Sequence, residues 1–453
     1  GGGVDEAELC GALEALGPTF VKLGQTLSTR ADLVGEATAG KLAKLQDAAA
    51  PFSTSEAFRI LKAELGGTVT NFFADLSFEP VASASFGQVY KCTTLDGREV
   101  AVKIQRPGAL EAVALDVYLL RRALGVVRRA VGMSRDLGPL ADELGRGLYA
   151  ELDYRREAAN CAKFAEAHAH LPFVVVPRPV AELTTARVLT LEWVDGQGPQ
   201  ELAAGMAEGP GERAASVARL KRMVALGVEC SLSQMLETGV MHADPHPGNL
   251  RLTRDGQLAY LDFGLLTEVG PADREAFLAA VVHLVNANYA GLVGDFAKLG
   301  LLKPTVDRGA LEADLRRELG GRGAAAALPF KALAGRIAKL GVKYKFVFPP
   351  YYTLLLRALG TLEGVALLAT EEFKLLEQAY PFVTKRLVQL ERDRVPGSAL
   401  REIFFAADGR TLELPRVIRL VNEVLGADTE GEDVTLPPSI VRYLLSPPER
   451  EGA

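Results

Sequence analysis

The run "VYKCTTLDGREVAVKIQ", Val89 to Gln105, constrains the fold more than any other stretch of the chain. Alternating residues flank Leu95-Asp96-Gly97, and Asp-Gly between two such segments is a strong signal for an antiparallel hairpin. Side chains alternate across a strand, so Val100, Val102 and Ile104 share one face while Ala101 and Lys103 share the other. The aliphatic face requires a core. The opposite face turns one lysine toward whatever the sheet binds.

Around this hairpin the pattern is mixed, and the chain reads as α+β. At 453 residues, 48% hydrophobic and 24% charged, it is expected to form two or three packed units. Helical periodicity fills roughly residues 1–70, where "GPTFVKLGQTLSTR" starts on Pro18, a favoured first helical position, and Lys22 and Gln25 lie three apart on one face. Strands dominate residues 71–195, with helices inserted between Gly108 and His170 and two more strand candidates in "FVVVPRPVAEL" and "RVLTLEWVDG". After the Gly/Pro-rich break "DGQGPQ", residues 196–395 read mostly as helices, interrupted by "MHADPHPGNLRL" and the strand-like "QLAYLDFG". Residues 396–453 form a tail without a clear signal. The expected architecture is a small sheet-containing lobe, a hinge and a larger helical lobe, preceded by a helical extension.

A net charge of −6 offers no general attraction to nucleic acid, which is excluded as an expected partner. The four cysteines, Cys10, Cys92, Cys161 and Cys230, are widely spaced and carry no zinc or redox signature. The uncharged run Ala276–Gly294 is long enough for a membrane span but contains His283, Asn286 and Asn288, so a buried core helix is expected. The chain starts "GGGVDEAELC" without methionine, and any targeting peptide is expected to have been removed or left out.

The densest chemistry lies in "MHADPHPGNL". His242, Asp244 and Asn249 form H-x-D-x-x-x-x-N, and Asp262 of "LDFG" follows thirteen residues after Asn249. This is the spacing of a kinase catalytic loop and metal-binding aspartate: the first carboxylate orients the attacking hydroxyl, while the amide and the second carboxylate hold metal ions against a triphosphate. A metal site through His242 and His246 would need a helix to bring residues four apart together, and Pro245 and Pro247 oppose one. Upstream, "ASASFGQV" (Ala82, Ser83, Ala84, Ser85, Phe86, Gly87, Gln88, Val89) fits the phosphate-covering G-x-G-x-x-G-x-V loop with alanines in its first two glycine places. Alanine lacks glycine's freedom at φ > 0 and adds a methyl group, so the geometry around a nucleotide there is expected to differ. A plain strand–loop–strand is the competing reading. Lys103 needs an acidic partner, and Glu111, Glu143, Glu151, Asp153 and Glu157 all remain open; on "AELDYRREAAN", read as one helix, Asp153 and Glu157 share a face. A solvated acidic helix face is the alternative for these carboxylates.

Taken in order, "KLGQ", "ASASFGQVY", "VAVKIQRPG", "ELDYRREAAN", "LEWVDG", "HADPHPGN" and "LDFG" resemble the UbiB, or aarF-domain, family of atypical protein-kinase-like proteins, over about Leu16 to Leu387. The resemblance implies a two-lobed kinase-like fold with ATP (or ADP) and Mg²⁺ as cofactors. Lys103 would contact phosphates and pair with Glu157, Asp244 would be catalytic, and Asn249 and Asp262 would bind Mg²⁺. The nucleotide site would comprise Ala82 to Gly87, Val89, Ala101, Lys103 and the adenine hinge from Glu192 to Val194. Lys22 and Gln25 would belong to an extension that covers the site and meets Glu151 and Asp153, and a contact of Lys22 with these carboxylates is expected to gate the site. Ser83 departs from the family's usual alanine and bears on nucleotide preference. Ala243 stands where ordinary kinases have arginine, and "LLTEVGPADREAF" leaves little room to hold a peptide.

The segments "FVFPPYYTLLLRALGTLEGVALL" and "AYPFVTKRL" look most like the cyanobacterial and plastid branch. The resemblance then implies work on prenylquinone or other prenyl-lipid metabolism at a membrane or lipid-droplet surface, in a chloroplast at plastoglobules or thylakoids, with biosynthetic enzymes as further partners. A mitochondrial or bacterial relative, a pseudokinase scaffold and a protein Ser/Thr kinase are the alternatives. "LRRALGVVRRAVG", with Arg121, Arg122, Arg128 and Arg129, either lies against anionic lipid or is a solvated face.

Overall fold

The computed structural model describes residues 6–28, 38, 41–42, 45, 50–131, 138–207, 209–243, 246–348, 350–370, 373–376, 379–380 and 382–383. The chain divides into two compact units: residues 1–226 with 240–268 and 348–361, and residues 227–239 with 269–347 and 362–453. The 396–453 tail lies outside the described residues.

The first unit begins with α1 (Glu6–Leu16) and α2 (Pro18–Ser28), then α3 (Thr54–Leu65). Ser53 caps α3 by accepting from the Glu56 N–H, satisfying one of the donors a helix start leaves open. Ala57, Ile60 and Leu61, spaced three and four apart, form the buried stripe of α3.

That stripe packs under a five-stranded antiparallel sheet. Its strands are β1 (Phe73–Leu76), β2 (Ala82–Ser83), β3 (Gly87–Thr94), β4 (Glu99–Gln105) and, after β5 (Val174–Val175), β6 (Val188–Glu192). The order is β1-β3-β4-β6, with β2 beside β3. Tyr90, Val100, Val102, Ile104 and Val188 are fully buried against α3. Full burial of such side chains contributes about 1.5–3 kcal/mol each, so Val102→Asp would break the lobe. The hairpin, and the division of β4 into an aliphatic face and a Lys103 face, are as the alternation predicts.

Between β4 and β6 the chain forms α4 (Ala109–Val131), α5 (Gly138–Glu151) and α6 (Tyr154–Ala167). The stretch "AELDYRREAAN" is therefore two helices, not the one its periodicity suggests. Asp153 takes an extended conformation, φ −99° and ψ 95°, and its carboxylate accepts from the Arg155 N–H at 3.2 Å. An aspartate that satisfies an open helix-start donor is worth more at a cap than inside a helix.

After α7 (Pro199–Gly205) and α8 (Pro210–Ser233), β7 (Val240–His242), β8 (Leu250–Leu252), β9 (Leu258–Tyr260) and β10 (Leu266–Glu268) form two small sheets. β10 pairs with β7, and β8 and β9 form a hairpin extended by β5, which runs parallel to β9. These short ladders fix the segments that flank Asn249 and Asp262.

In the second unit α9 (Pro271–Val285), α10 (Tyr289–Lys298), α11 (Arg308–Leu319) and α12 (Phe330–Tyr344) pack in sequence. α13 (Pro350–Ala369) follows, with residues 350–361 counted in the first unit and 362–369 in the second. Gly239, at φ 73°, ends the preceding helical turn where a Cβ would lie 2.5 Å from the Val269 carbonyl, so only glycine fits. The run Ala276–Gly294 is largely buried but is not one helix. It breaks at Ala287 (φ 57°), and Asn288 caps α10 by accepting from the Gly291 N–H at 2.9 Å. Among the described residues no helix is long and apolar enough to cross a membrane.

Candidate active site

β4 sets the position of Lys103, with Val89 opposite it on β3 and Leu189 on β6. Val89 and Ala101 are half-buried on the same face, in contrast to the fully buried residues on the aliphatic side. Of the five carboxylates left open by spacing, Glu157 is the one that meets the lysine: Lys103 Nζ donates to Oε1 at 3.1 Å and Oε2 at 2.9 Å. Asp262 Oδ2 lies 3.5 Å from the same nitrogen.

α6 carries more of the site than Glu157 alone. Asn160, three residues on, donates to the Phe263 carbonyl at 2.8 Å, and Phe164, seven on, packs on Phe263 with ring centroids 5.2 Å apart. One helical stripe thus holds Lys103 and the residue after Asp262. His242 supports the same segment from β7 through its Nε2 and the Asp262 carbonyl. A carbonyl only accepts, so that nitrogen carries the proton. Gly264 N–H donates to Asp262 Oδ1 at 2.9 Å, which orients the carboxylate.

The loop from Ala82 to Gly87 is held tightly. Ala84 N–H donates to the Gly87 carbonyl at 2.7 Å, and Arg106 reaches back through its N–H to Phe86 O at 2.8 Å and its Nε to Ser85 O at 3.1 Å. No described residue of the loop has φ > 0, so Ala82 and Ala84 sit there without backbone strain. At Gly87 a Cβ would lie 2.4 Å from the Tyr154 hydroxyl and 2.8 Å from the Ile104 carbonyl, so this glycine is required for close approach. Phe86, expected among the nucleotide contacts, instead buries its ring with Ala109, Val113, Leu148 and Leu152. A large apolar side chain is driven to that core and anchors the loop from below. Ser85 is also buried, whereas the buried Ser83 hydroxyl oxygen has no partner among the described residues.

Tyr154 joins these parts. It is buried, its hydroxyl donates to Phe86 O at 3.4 Å, and Lys103 Nζ lies 5.2 Å from its ring centroid, a cation–π distance. Burial pushes its phenol well above the ordinary tyrosine value, so it stays a neutral donor. Tyr154, Asn160, His242 and Arg106 were not assigned roles from the sequence. His242 carried the signal of the H-x-D motif, and Asn160 and Phe164 that of their three- and seven-residue spacing from Glu157.

The electrostatics favour an ionised site. Burial disfavours the Lys103 ammonium, but Asp262 and Glu157 together hold its pKa well above the usual lysine value. Desolvation opposes ionisation of Asp262, yet Lys103, then Lys22, then the Gly264 N–H hold its carboxyl far below the usual carboxylate range. Burial raises Glu157, with Lys103 pulling the other way.

Lys22 Nζ lies 3.7 Å from Glu151 Oε2, with side chains 20% and 14% exposed. Gln25 and Asp153, expected in the same contact, are engaged elsewhere. Gln25 donates to the Leu45 carbonyl at 3.3 Å, and Asp153 pairs with Arg155 at 2.8 Å while capping α6. Asn249 ends a short helical turn, Pro247–Asn249, in which His246 Nδ1 accepts from the Gly248 N–H at 3.1 Å, so His246 is a cap and does not converge with His242. Glu192 ends β6, and its N–H and that of Trp193 are bound to Arg178 O and Glu99 O; Val194 follows, half-buried. Asp244 lies outside the described residues.

An antiparallel sheet that presents a lysine to a helix-borne glutamate, with a short hairpin flanked by an asparagine and a carboxylate, defines a protein-kinase-like fold. The chain belongs to the ABC1 atypical kinase-like family, whose domain pattern matches residues 44–295. It is 39% identical to a protein of Synechocystis sp. over 92% of this chain and 60% of that one. It is 37% identical to an aarF domain-containing protein kinase of Arabidopsis thaliana described as chloroplastic, over 94% and 59%. To Protein ACTIVITY OF BC1 COMPLEX KINASE 3, chloroplastic, from the same plant, identity is 42% over 82% and 52%. The chain therefore spans between about half and three-fifths of the length of these relatives. Among solved structures, a Mycobacterium tuberculosis protein in complex with erythromycin matches with a TM-score of 0.56 and 28% identity, over 76% of this chain and 87% of that one.

Proposed function

We propose that this chain is an Mg-ATP-dependent atypical kinase, an ATPase or a small-molecule or lipid kinase, that supports prenylquinone or prenyl-lipid metabolism at a membrane surface of the chloroplast, at plastoglobules or thylakoids. The observation that carries the reading is Lys103 bridged to Glu157 with Asp262 3.5 Å away. A triphosphate bears more negative charge than one lysine neutralises, and Mg²⁺ prefers one or two carboxylates completed by phosphate oxygens and water. Asp262, held ionised and 43% exposed, and the Asn249 amide suit that requirement. Mg²⁺ would supply charge neutralisation on the phosphates. Lys103 would bind phosphate oxygens, Tyr154 and Arg106 would hold the covering loop, and the orphaned Ser83 hydroxyl would offer one more donor beside it. Asp244 would take or orient the proton of the acceptor hydroxyl. The prenyl-lipid setting rests on the family resemblance, and the chloroplast setting on the plant relatives described as chloroplastic.

The contact of Lys22 with Glu151 and its influence on Asp262 favour a second reading, a nucleotide-binding scaffold that regulates biosynthetic enzymes. A conventional protein kinase is disfavoured by the short path from Gly264 to α9 at Pro271, part of which is already paired as β10. ADP release from purified protein, with and without lipid vesicles, separates these readings. An enzyme releases ADP well above the Asp262→Asn level, a scaffold binds Mg-ATP without turnover, and neither reading survives if Mg-ATP does not bind.

A further inference from the structure

α4 has two opposite faces. Ala109 and Val113 are buried and Val117 packs beside them, in a cluster with Phe86, Leu148 and Leu152, as α4 lies against α5 and α2. Half a turn away, near one line at 3.6 residues per turn, stand Leu115, Leu119 and Val126, exposed to 58%, 50% and 57%. Tyr118, 56% exposed, flanks them, and Arg122 stacks over its ring at 5.9 Å. Arg129 follows on the same flank, exposed, and its Nε donates to the Gly125 carbonyl of its own helix at 3.2 Å. A helix with one face in the core normally turns polar residues to water. Here the outer face is an aliphatic row rimmed by an aromatic and cations.

We propose that this face of α4 docks on an anionic lipid surface, with Leu115, Leu119 and Val126 among the acyl chains and Tyr118, Arg122 and Arg129 at the headgroups. The proposal rests on the membrane setting given above and names the surface that serves it. Charge complementarity selects the occupant. The whole chain carries −6, yet residues 121–129 hold four arginines. Fields are screened within about 8 Å at physiological salt, so the local cations, not the distant net charge, meet the headgroups. Asp142 neutralises Arg121 at 2.7 Å, Arg128 is half-buried on another side of the helix, and Glu111 lies on the arginine flank one turn before Leu115, which leaves Arg122 and Arg129 as the groups that matter most. An interfacial helix of this kind lies in the membrane plane, buried about 5–10 Å, with Tyr at the boundary and Arg reaching outward. α4 also packs against both α2 and α5, the helices that carry Lys22 and Glu151, so docking would occur one helix away from that ion pair.

The test is co-sedimentation of the full chain with vesicles of phosphatidylcholine alone or mixed with phosphatidylglycerol. Wild-type protein should bind the anionic vesicles, release in high salt, and ignore the neutral ones. Each arginine near an anionic surface multiplies partitioning about fivefold, so Arg122→Gln with Arg129→Gln should lower it roughly 25-fold. Leu115→Ser with Leu119→Ser should lower it comparably, and both double variants should keep wild-type lipid-free nucleotide binding. If the leucine variant misfolds, the arginine variant, altered only at exposed side chains, decides the matter. Binding of wild type with no loss in the arginine variant would assign the membrane to another face and overturn the proposal while leaving the membrane reading intact. No vesicle binding by wild type would overturn both, whatever the ADP-release result. Unchanged vesicle binding with an altered oligomeric state or a lower melting temperature would show that protein covers this face, which also overturns it.

Discussion

Replacing Lys22 by alanine removes one cation from the neighbourhood of two carboxylates, Glu151 at 3.7 Å and Asp262, whose acidity Lys22 helps to set. At 3.7 Å and an effective dielectric near 20 the gross attraction to Glu151 is about 4–5 kcal/mol, and desolvation with side-chain ordering leaves a net of roughly 1–2. The fold should survive, with a melting temperature lower by about 2–8 °C. At Asp262 the effect has the opposite sign. Lys22 and Mg²⁺ compete for the same negative charge, and removing about 1 kcal/mol of competition should tighten Mg-nucleotide binding roughly fivefold. Glu151→Gln separates the two effects: it breaks the same ion pair but leaves Lys22 nearer to Asp262, so Mg-nucleotide should bind more weakly than to wild type. A thermal-shift titration with Mg-ATP, alongside ADP release, reads both variants. Shifts in the same direction, or affinities within about twofold of wild type for both, would show that Lys22 merely packs, and the gating role would be lost.

Asp262→Asn should reduce Mg-ATP affinity at least tenfold while Lys103 keeps Glu157, measured by the same titration; unchanged affinity would remove Asp262 from the metal assignment. Because the folded-state pKa of Asp262 is depressed, its contribution to stability is full above the unfolded value near pH 4 and declines as pH falls below it, so the Asn variant should show a shallower acid limb in pH-dependent melting. Tyr154→Phe keeps the ring beneath Lys103 but loses the bond to Phe86 O, and should raise the nucleotide KM severalfold with little change in kcat; equal KM values would make the hydroxyl a packing group only. Burial pushes the Cys92 thiol to about 12 and Cys161 higher still, so iodoacetamide at pH 8 should label partly exposed Cys10 and spare Cys92, Cys161 and Cys230, as read by peptide mass spectrometry. The same raised pKa means that Cys92 favours the fold below about pH 8.5 and loses that contribution as pH climbs toward 12.

Local pattern carried much of this. Alternation along Val100 to Ile104 decided which way Lys103 faces, because strand geometry turns every second side chain the same way. Asp-Gly placed the turn and Pro18 the start of α2. Motif order then pointed to the family, and with it to Asp262 and Asn249. What periodicity could not settle was pairing between distant segments. Five carboxylates lay within reach of Lys103 by spacing, and 54 residues separate it from Glu157; only the docking of α6 against the sheet brought that one to 3 Å. Asp153 looked helical because its neighbours are, until a cap to Arg155 outweighed propensity. Phe86 sat in a phosphate-loop motif, yet the apolar cluster beneath the loop claimed its ring. Ala276–Gly294 is uncharged throughout, and hydrophobicity alone does not mark the break at Ala287. In each case a local rule set the menu of conformations, and burial or a hydrogen bond to residues far along the chain made the choice, because those energies exist only once the elements meet.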